Sequence, residues 1–290
     1  MRVLISGYGI ISAGIVHNLL KAHDAEICIV SRHLDSYSDS RVRILDAVAH
    51  VSGSPEVVVG CFESVETAEN FWYSAAMTSI IENDRPVCID ISTLGVDYFS
   101  EWHLRLELLG ADRIECPVTG SRAGSLDGTL SLFAYFSAGR PTPIVDRILS
   151  LISCRIYLFE QPCGPTRFKL IYNAWGATIL HSLCNFLPDL QTHLSETDFE
   201  TACTIVKSDG WMAPVAASKL EIIRSRAFED IHFSLENMVK DLNLYQAMCG
   251  GRTGALFTAV KDVYGQAADR HNYRVDYTKV ADECVMVPRD

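Results

Sequence analysis

No apolar run in the sequence comes near the ~18 residues that a membrane helix needs, so a helical span is not expected. Basic residues are in the minority, 25 Lys and Arg against 36 Asp and Glu, for a formal net charge of -11. That balance argues against nonspecific nucleic-acid binding, which needs a basic surface to displace phosphate counterions. An anionic ligand must then be held by local features. Neither a Cys-x-x-Cys pair nor a His-Glu-x-x-His occurs, so spacing suggests no zinc site and no metal is expected. The ten cysteines are scattered from Cys28 to Cys284, and several, such as Cys28, Cys88 and Cys184, sit inside apolar patterns. They read as buried free thiols and not as five disulfides. Internal repeats and low-complexity tracts are absent. The start, Met1-Arg2-Val3-Leu4-Ile5-Ser6-Gly7, enters a strand-like run at once and lacks signal-peptide architecture. The expected location is the cytoplasm.

What is present points to two domains, since 290 residues exceed the roughly 100 to 200 of one domain. The first half alternates short β-branched runs with helical patterns, the βαβ signature of a parallel sheet covered on both faces. Val3 to Ser6, Glu26 to Ser31, Val57 to Cys61 and Val87 to Ile91 read as four strands, with further candidates at Asp112 to Cys116, Leu130 to Phe136 and Arg155 to Phe159. Ile10 to Ala22 carries Ile11, Ile15, Leu19 and Leu20 at helical spacing and reads as the first crossover helix. After Pro162 and Gly164 the character changes. A long apolar-rich helix is expected from Arg167 to about His193, kinked or ended by Pro188. Segments near 197 to 207, 211 to 226, 233 to 247, 254 to 270 and 276 to 286 follow with helical periodicity. The expected architecture is α/β: a Rossmann doubly wound sheet over 1–162, a long interdomain helix, and an all-helical domain over 163–290 for substrate and dimerisation.

Gly7-Tyr8-Gly9 follows the first strand directly and opens a helix with Ile10 and Ile11. There glycines permit a tight turn and let a pyrophosphate approach backbone N–H groups at the helix N-terminus. The third glycine of the G-x-G-x-x-G pattern is replaced by Ser12, small enough for close packing. The second strand ends in Val30-Ser31-Arg32-His33, with no acid to bind the ribose hydroxyls of NAD. Arg32 can instead pair with the 2'-phosphate of NADP, and Ser31 can add a hydroxyl donor. The alternative is a solvated arginine at a strand end. Cys61 and Phe62, at the end of the third predicted strand, are placed in the same cofactor set.

Six motifs then fall in one order: Gly7-Tyr8-Gly9-Ile10-Ile11-Ser12, Asp90-Ile91-Ser92-Thr93, Glu115-Cys116-Pro117-Val118-Thr119-Gly120-Ser121, Gly124 with Gly128-Thr129-Leu130, Lys169-Leu170-Ile171-Tyr172-Asn173, and Lys240-Asp241-Leu242-Asn243-Leu244. In this order the chain resembles the β-hydroxyacid dehydrogenase family, whose relatives include 3-hydroxyisobutyrate dehydrogenase, 6-phosphogluconate dehydrogenase and the imine reductases. The resemblance implies Lys169 as the proton donor or acceptor at the reacting carbonyl, with Asn173 orienting substrate or lysine. Residues i and i+4 project from one helix face, so the two can converge on one small group. An ammonium in a dry cleft stabilises the alkoxide left by hydride transfer and supplies its proton. A lysine snorkelling at a helix start is the alternative. The resemblance further implies that Thr119, Gly120 and Ser121 form the loop for a substrate carboxylate. Arg122 adds a charge for a second acidic group, and Tyr172 joins the substrate set. Ser92 and Thr93 would line the nicotinamide side, and Lys240 would lie near cofactor and substrate, unless these three are solvated or capping residues.

Three departures from the family pattern bear on the substrate. Tyr172 stands where the first asparagine of a pair is usual, the approach to the lysine is Gln161-Pro162-Cys163-Gly164-Pro165-Thr166, and Ser131 to Ala138 is longer than the family norm. The expected activity is NADP-dependent hydride transfer to or from a small-molecule β-hydroxy acid or its aldehyde or keto form, in a homodimer. Reduction of a C=N bond is the second enzyme reading, against which Lys169 argues, since imine reductases typically carry Asp or Tyr there. A cofactor-binding sensor or scaffold without catalysis is the reading from another class.

Overall fold

The computed structural model describes residues 1–32, 34–209, 213–271 and 274–284. They form two compact units, Met1–Lys169 and Leu170–Asp290. In the first, six strands build the parallel part of a sheet. These are β1 (Arg2–Ser6), β2 (Glu26–Val30), β3 (Val42–Leu45), β4 (Val57–Gly60), β5 (Val87–Asp90) and β6 (Arg113–Glu115). Every residue of β4 and β5 is buried, as expected of parallel strands covered above and below. These six strands pair in parallel in the order β3-β2-β1-β4-β5-β6. That is the doubly wound order, in which the order of strand addition reverses between β1 and β4 and opens a crevice at their carboxyl ends.

Period-2 alternation sorts the strand side chains between two layers. Val3, Ile5, Ile27, Ile29, Val57 and Val59 pack with Ile15, Val16 and Leu19 of α1 (Ile10–Leu19) and with Val145, Ile148 and Leu149 of α6 (Pro143–Ile152). Leu4, Val58 and Cys88 face the other way. They pack with Phe71 and Trp72 of α2 (Val65–Trp72), Met77 and Ile81 of α3 (Ala75–Asp84), and Tyr98, Phe99 and Trp102 of α4 (Val96–Leu108). Serine and threonine caps start several of these helices: Ser64, Ser74 and Thr142 each accept the N–H three residues on.

The sheet is extended by β7 (Val118–Thr119), β8 (Leu130–Phe136) and β9 (Ser153–Leu158), with the short helix α5 (Ser121–Asp127) between β7 and β8. β8 runs antiparallel to β6 and β7 and parallel to β9. The sheet is therefore mixed at this end, where the sequence pattern had suggested parallel strands only. β3 and β7 are additions to the strands expected from sequence.

α7 (Gly164–His193) runs 30 residues across the division between the units. Pro188 lies inside it and does not end it, because losing one N–H to the carbonyl four residues back leaves the other helix bonds in place. In the second unit Ala174, Ala177, Leu180, Cys184 and Leu187 of α7 form a core with side chains of α8 (Glu196–Ser208), α9 (Ala213–Ser225), α10 (Leu235–Met248) and α11 (Ala255–Arg270). The small residues Ala174 and Ala177 let other helices approach, and the buried Tyr264 hydroxyl donates to the Ala177 carbonyl at 3.5 Å. Residues 211 and 212 of one expected helix, and 285 and 286 of another, lie outside the described residues. Tyr277–Cys284 forms a 3-10 helix, so the expected α-helical segment near 276 to 286 is corrected to the tighter form. No helix among the described residues is long and apolar enough to cross a membrane.

Candidate active site

The turn after β1 sits at the point where the strand order reverses. Gly7 has φ +85 and donates its N–H to the Val30 carbonyl at 3.2 Å. A Cβ built at Gly7 would lie 2.2 Å from the Cys61 carbonyl oxygen, so only glycine lets the ends of β1 and β4 meet here. Gly9 is the N-cap of α1, and its N–H donates to the Ser12 hydroxyl at 2.7 Å. Ser12 thus supplies a cap in addition to compactness. Close helix approach falls instead on Gly14, where a Cβ would lie 2.2 Å from the Ser125 hydroxyl of α5. The N–H groups of Ile10 and Ile11 belong to the first turn, which has no intrahelical acceptors. Tyr8 meets Tyr37 edge-on, with ring centroids 6.4 Å apart.

At the end of β2, Ser31 donates its N–H to the Leu45 carbonyl and Arg32 is exposed. Asp39, further along the same loop, is engaged by Arg41 at 2.7 Å, and that guanidinium holds its carboxyl down at about 2.

A buried network supports the next loops. Asp90, at the end of β5, is fully buried and accepts from Trp72 Nε1 at 2.9 Å, the Tyr98 hydroxyl at 3.3 Å and Ser92 N–H at 2.9 Å. The Ser92 hydroxyl in turn accepts the N–H of Phe62 at 2.8 Å. Burial pushes the Asp90 carboxyl up to about 6, with the hydrogen bonds from Ser92, Trp72 and Tyr98 working against it. Gly60 leaves room for this arrangement: a Cβ there would lie 2.5 Å from the Phe62 ring and 2.9 Å from Trp72 Nε1. Cys61, Phe62 and Thr93 are half-buried around it.

The loop named for substrate binding follows β7. Thr119 is half-buried, Gly120 has φ +135, Ser121 has φ +52, and Arg122 is exposed. A side chain at Gly120 would meet Leu130 at 3.1 Å and sit in a backbone region that non-glycine residues rarely adopt.

On α7, Lys169 and Asn173 fall on the buried line of the helix at 6% and 9% exposure, while Phe168, Ile171 and Tyr172 lie on its exposed side. A snorkelling lysine would leave its head in water, which this burial does not fit. Within the second unit, Asn173 donates to Asp241 Oδ2 at 2.6 Å, and Lys240 Nζ lies 3.3 Å from Asp241 Oδ1. The structure therefore brings Asn173 and Lys240 together through Asp241, a residue that sequence reasoning had quoted in a motif but given no role. Tyr172 is 43% exposed. Asp90 was passed over in the same way. The signal available in both cases was an acid inside an otherwise apolar element.

A 3-2-1-4-5-6 parallel order with a glycine turn at its reversal point, followed by a helical unit, defines a dinucleotide-binding fold. The family model for the NAD binding domain of 6-phosphogluconate dehydrogenase matches residues 3–150, just over half of the chain, and the chain belongs to that family. No curated protein sequence matches it. Among solved structures, Psf3 in complex with NADP+ and 2-OPP superposes with a TM-score of 0.80 at 18% identity, over 97% of this chain and 99% of that one. The 3-hydroxyisobutyrate dehydrogenase of Salmonella typhimurium gives 0.77 at 13% identity, over 98% and 99%. An imine reductase from Myxococcus stipitatus in complex with NADP+ gives 0.56 at 11% identity, over 97% and 99%. At such identities the likeness is one of fold. The resemblance to β-hydroxyacid dehydrogenases read from the six motifs is borne out, and the chain is an NAD(P)-dependent dehydrogenase or reductase.

Proposed function

We propose that this protein transfers a hydride between NADP and a small β-hydroxy acid, or its aldehyde or keto form, with Lys169 as general acid and base. The observation that carries the proposal is a lysine buried on the same helix line as Asn173, whose amide is fixed by Asp241. When bound, the dinucleotide supplies the hydride in reduction and accepts it in oxidation. The Gly7 turn and the N–H groups of Ile10 and Ile11 hold the pyrophosphate. Gly9 fits that role because its N-cap position leaves the backbone open, with nothing within 4 Å of where a Cβ would stand. Cys61, Phe62, Ser92 and Thr93 border the nicotinamide, and Thr119, Gly120, Ser121 and Arg122 receive the acidic end of the substrate. Lys169 gives its proton to the carbonyl oxygen as charge collects there, and takes it back in the oxidative direction. Turnover with NADPH on a panel of β-keto acids and cyclic imines tests the reading. Reduction of imines alone would replace it with C=N chemistry.

Arg32 and Ser31 support a preference for NADP. We expect NADPH to bind at least ~10-fold more tightly than NADH, and Arg32→Ala to erase most of that difference, since a charge-assisted contact contributes about 1.5 to 3 kcal/mol. Titration by cofactor fluorescence checks both, and equal wild-type affinities would sink the assignment.

A homodimer completes the reading. Ile171, Trp175, Ile179 and Phe186 form an exposed apolar stripe on α7 at helical spacing, with Trp175 67% exposed. Light scattering at micromolar concentration should give twice the chain mass, and Trp175→Glu should lower it. All ten cysteines are free thiols, which suits a cytoplasmic location.

A further inference from the structure

The first turn of the helix that carries Lys169 is tied to the sheet by one carboxylate. Glu115, the last residue of β6, is fully buried. Its Oε2 accepts the N–H of Cys163 at 2.7 Å and its Oε1 accepts the N–H of Thr166 at 2.9 Å. Both donors belong to the start of α7, where backbone N–H groups have no intrahelical acceptor and the helix dipole is positive. A third donor comes from α4: His103 Nε2 lies 2.8 Å from Glu115 Oε2. Arg113 Nε–H donates to His103 Nδ1 at 3.3 Å, which leaves the ring proton on Nε2, aimed at the carboxylate. Arg113 also pairs with Glu107 at 2.5 Å.

His103, Glu115 and Cys163 bring ligand-type atoms within 4.8 Å of one another, a spacing that would suit a metal. Their hydrogen bonds account for them otherwise. Glu115 accepts from three donors, and the Cys163 thiol lies 3.4 Å from the Ser100 hydroxyl with its pKa raised by burial. A second feature stands three residues before Lys169 on the same buried line: the Thr166 hydroxyl is buried and has no hydrogen-bond partner, while the Thr166 N–H is held by Glu115. The clamp fixes the backbone of this turn.

We propose that Glu115 is the positioning residue for Lys169: it clamps the first turn of α7 to the end of β6 and so sets where the lysine ammonium stands. This rests on the general-acid reading of Lys169 for its catalytic consequence, but the placement itself does not. The clamp places a negative charge at the first turn of the helix that carries Lys169. Replacing it by an amide removes that charge and leaves one backbone N–H facing an NH₂ group.

The test is Glu115→Gln in the full chain, with three readouts. Turnover should fall at least ~10-fold while NADPH affinity stays within about twofold, because the Gly7 turn lies elsewhere. Lys169 should titrate lower, by up to about one unit, because a carboxylate that favours its charged form is lost from the same helix start. Its titration is followed by ¹³C NMR after reductive methylation, with the resonance assigned by its loss in Lys169→Met. Unchanged turnover and an unchanged Lys169 titration would overturn the proposal. Because the titration is read on the side chain itself, near-normal turnover in Lys169→Met would reject the general-acid reading without deciding this one. Should Glu115→Gln lose its near-ultraviolet dichroism, Glu115→Asp decides. It keeps the charge but is too short to span both N–H groups, so a displaced Lys169 resonance with lowered turnover supports the clamp, and wild-type values overturn it.

Discussion

Lys169→Met should lower turnover by about 10² to 10⁴-fold, the usual contribution of a positioned acid or base, and leave NADPH affinity within about twofold. Methionine keeps the length and apolar volume of the lysine stem while removing its proton and charge. The site of substitution is buried, so a group of similar volume does not open a cavity. The separation of roles makes the result diagnostic: the Gly7 turn and Arg32 hold the cofactor, and Lys169 acts only where the carbonyl oxygen gathers charge. Stopped-flow hydride transfer and equilibrium cofactor binding, measured on the same preparation, read the two roles apart. Near-normal turnover would reject the lysine mechanism and move the reading to C=N reduction. Loss of NADPH binding would instead mark Lys169 as a structural residue. Asn173→Ala should reduce turnover less, because Lys169 remains, yet it leaves Asp241 Oδ2 without its 2.6 Å donor. An orphaned buried carboxylate oxygen costs about 1 to 3 kcal/mol, so this variant should also melt earlier.

The elements that sequence periodicity brought out are those whose pattern is carried within one segment. β1, β4 and β5 are unbroken apolar runs bounded by turn residues, and α7 holds a helical period over 30 residues. β3 has four residues, one of them Arg43, and pairs only with β2. β7 has two, and its strand character comes from pairing with β8. Neither segment is long enough for a period to emerge. The site divides the same way. Gly7, Lys169 and Asn173 stand out by spacing and residue type. Glu115 does not, because its meaning lies in donors 12, 48 and 51 residues away in the chain. Asp90 is similar, since a strand-end acid becomes a loop support only when Trp72 and Tyr98 fold onto it.

The two glycines of the phosphate turn should respond to the same added methyl group differently in stability and alike in cofactor binding. At Gly7 the backbone has φ +85 and a Cβ would lie 2.2 Å from the Cys61 carbonyl oxygen, a backbone atom that cannot swing aside. The left-handed conformation alone costs an L-residue about 1 to 2 kcal/mol, and the collision adds to it by forcing β1 and β4 apart. Gly7→Ala should therefore lower the melting temperature by roughly 5 °C or more and abolish measurable NADPH binding. Gly9 is different: its φ of -121 suits any residue, and a Cβ there meets nothing within 4 Å. The folded chain thus has no steric need for glycine at 9, and Gly9→Ala should melt within about 1 °C of the wild type, as for a surface change that breaks no contact. The need arises only if a ligand approaches the backbone at that point. A methyl group on the path of a pyrophosphate should then weaken NADPH binding by at least ~10-fold, about 1.4 kcal/mol. Thermal melts with and without NADPH separate the two effects. If Gly9→Ala binds NADPH as tightly as the wild type, the pyrophosphate does not lie over this turn, and the cofactor assignment of Gly9, Ile10 and Ile11 falls.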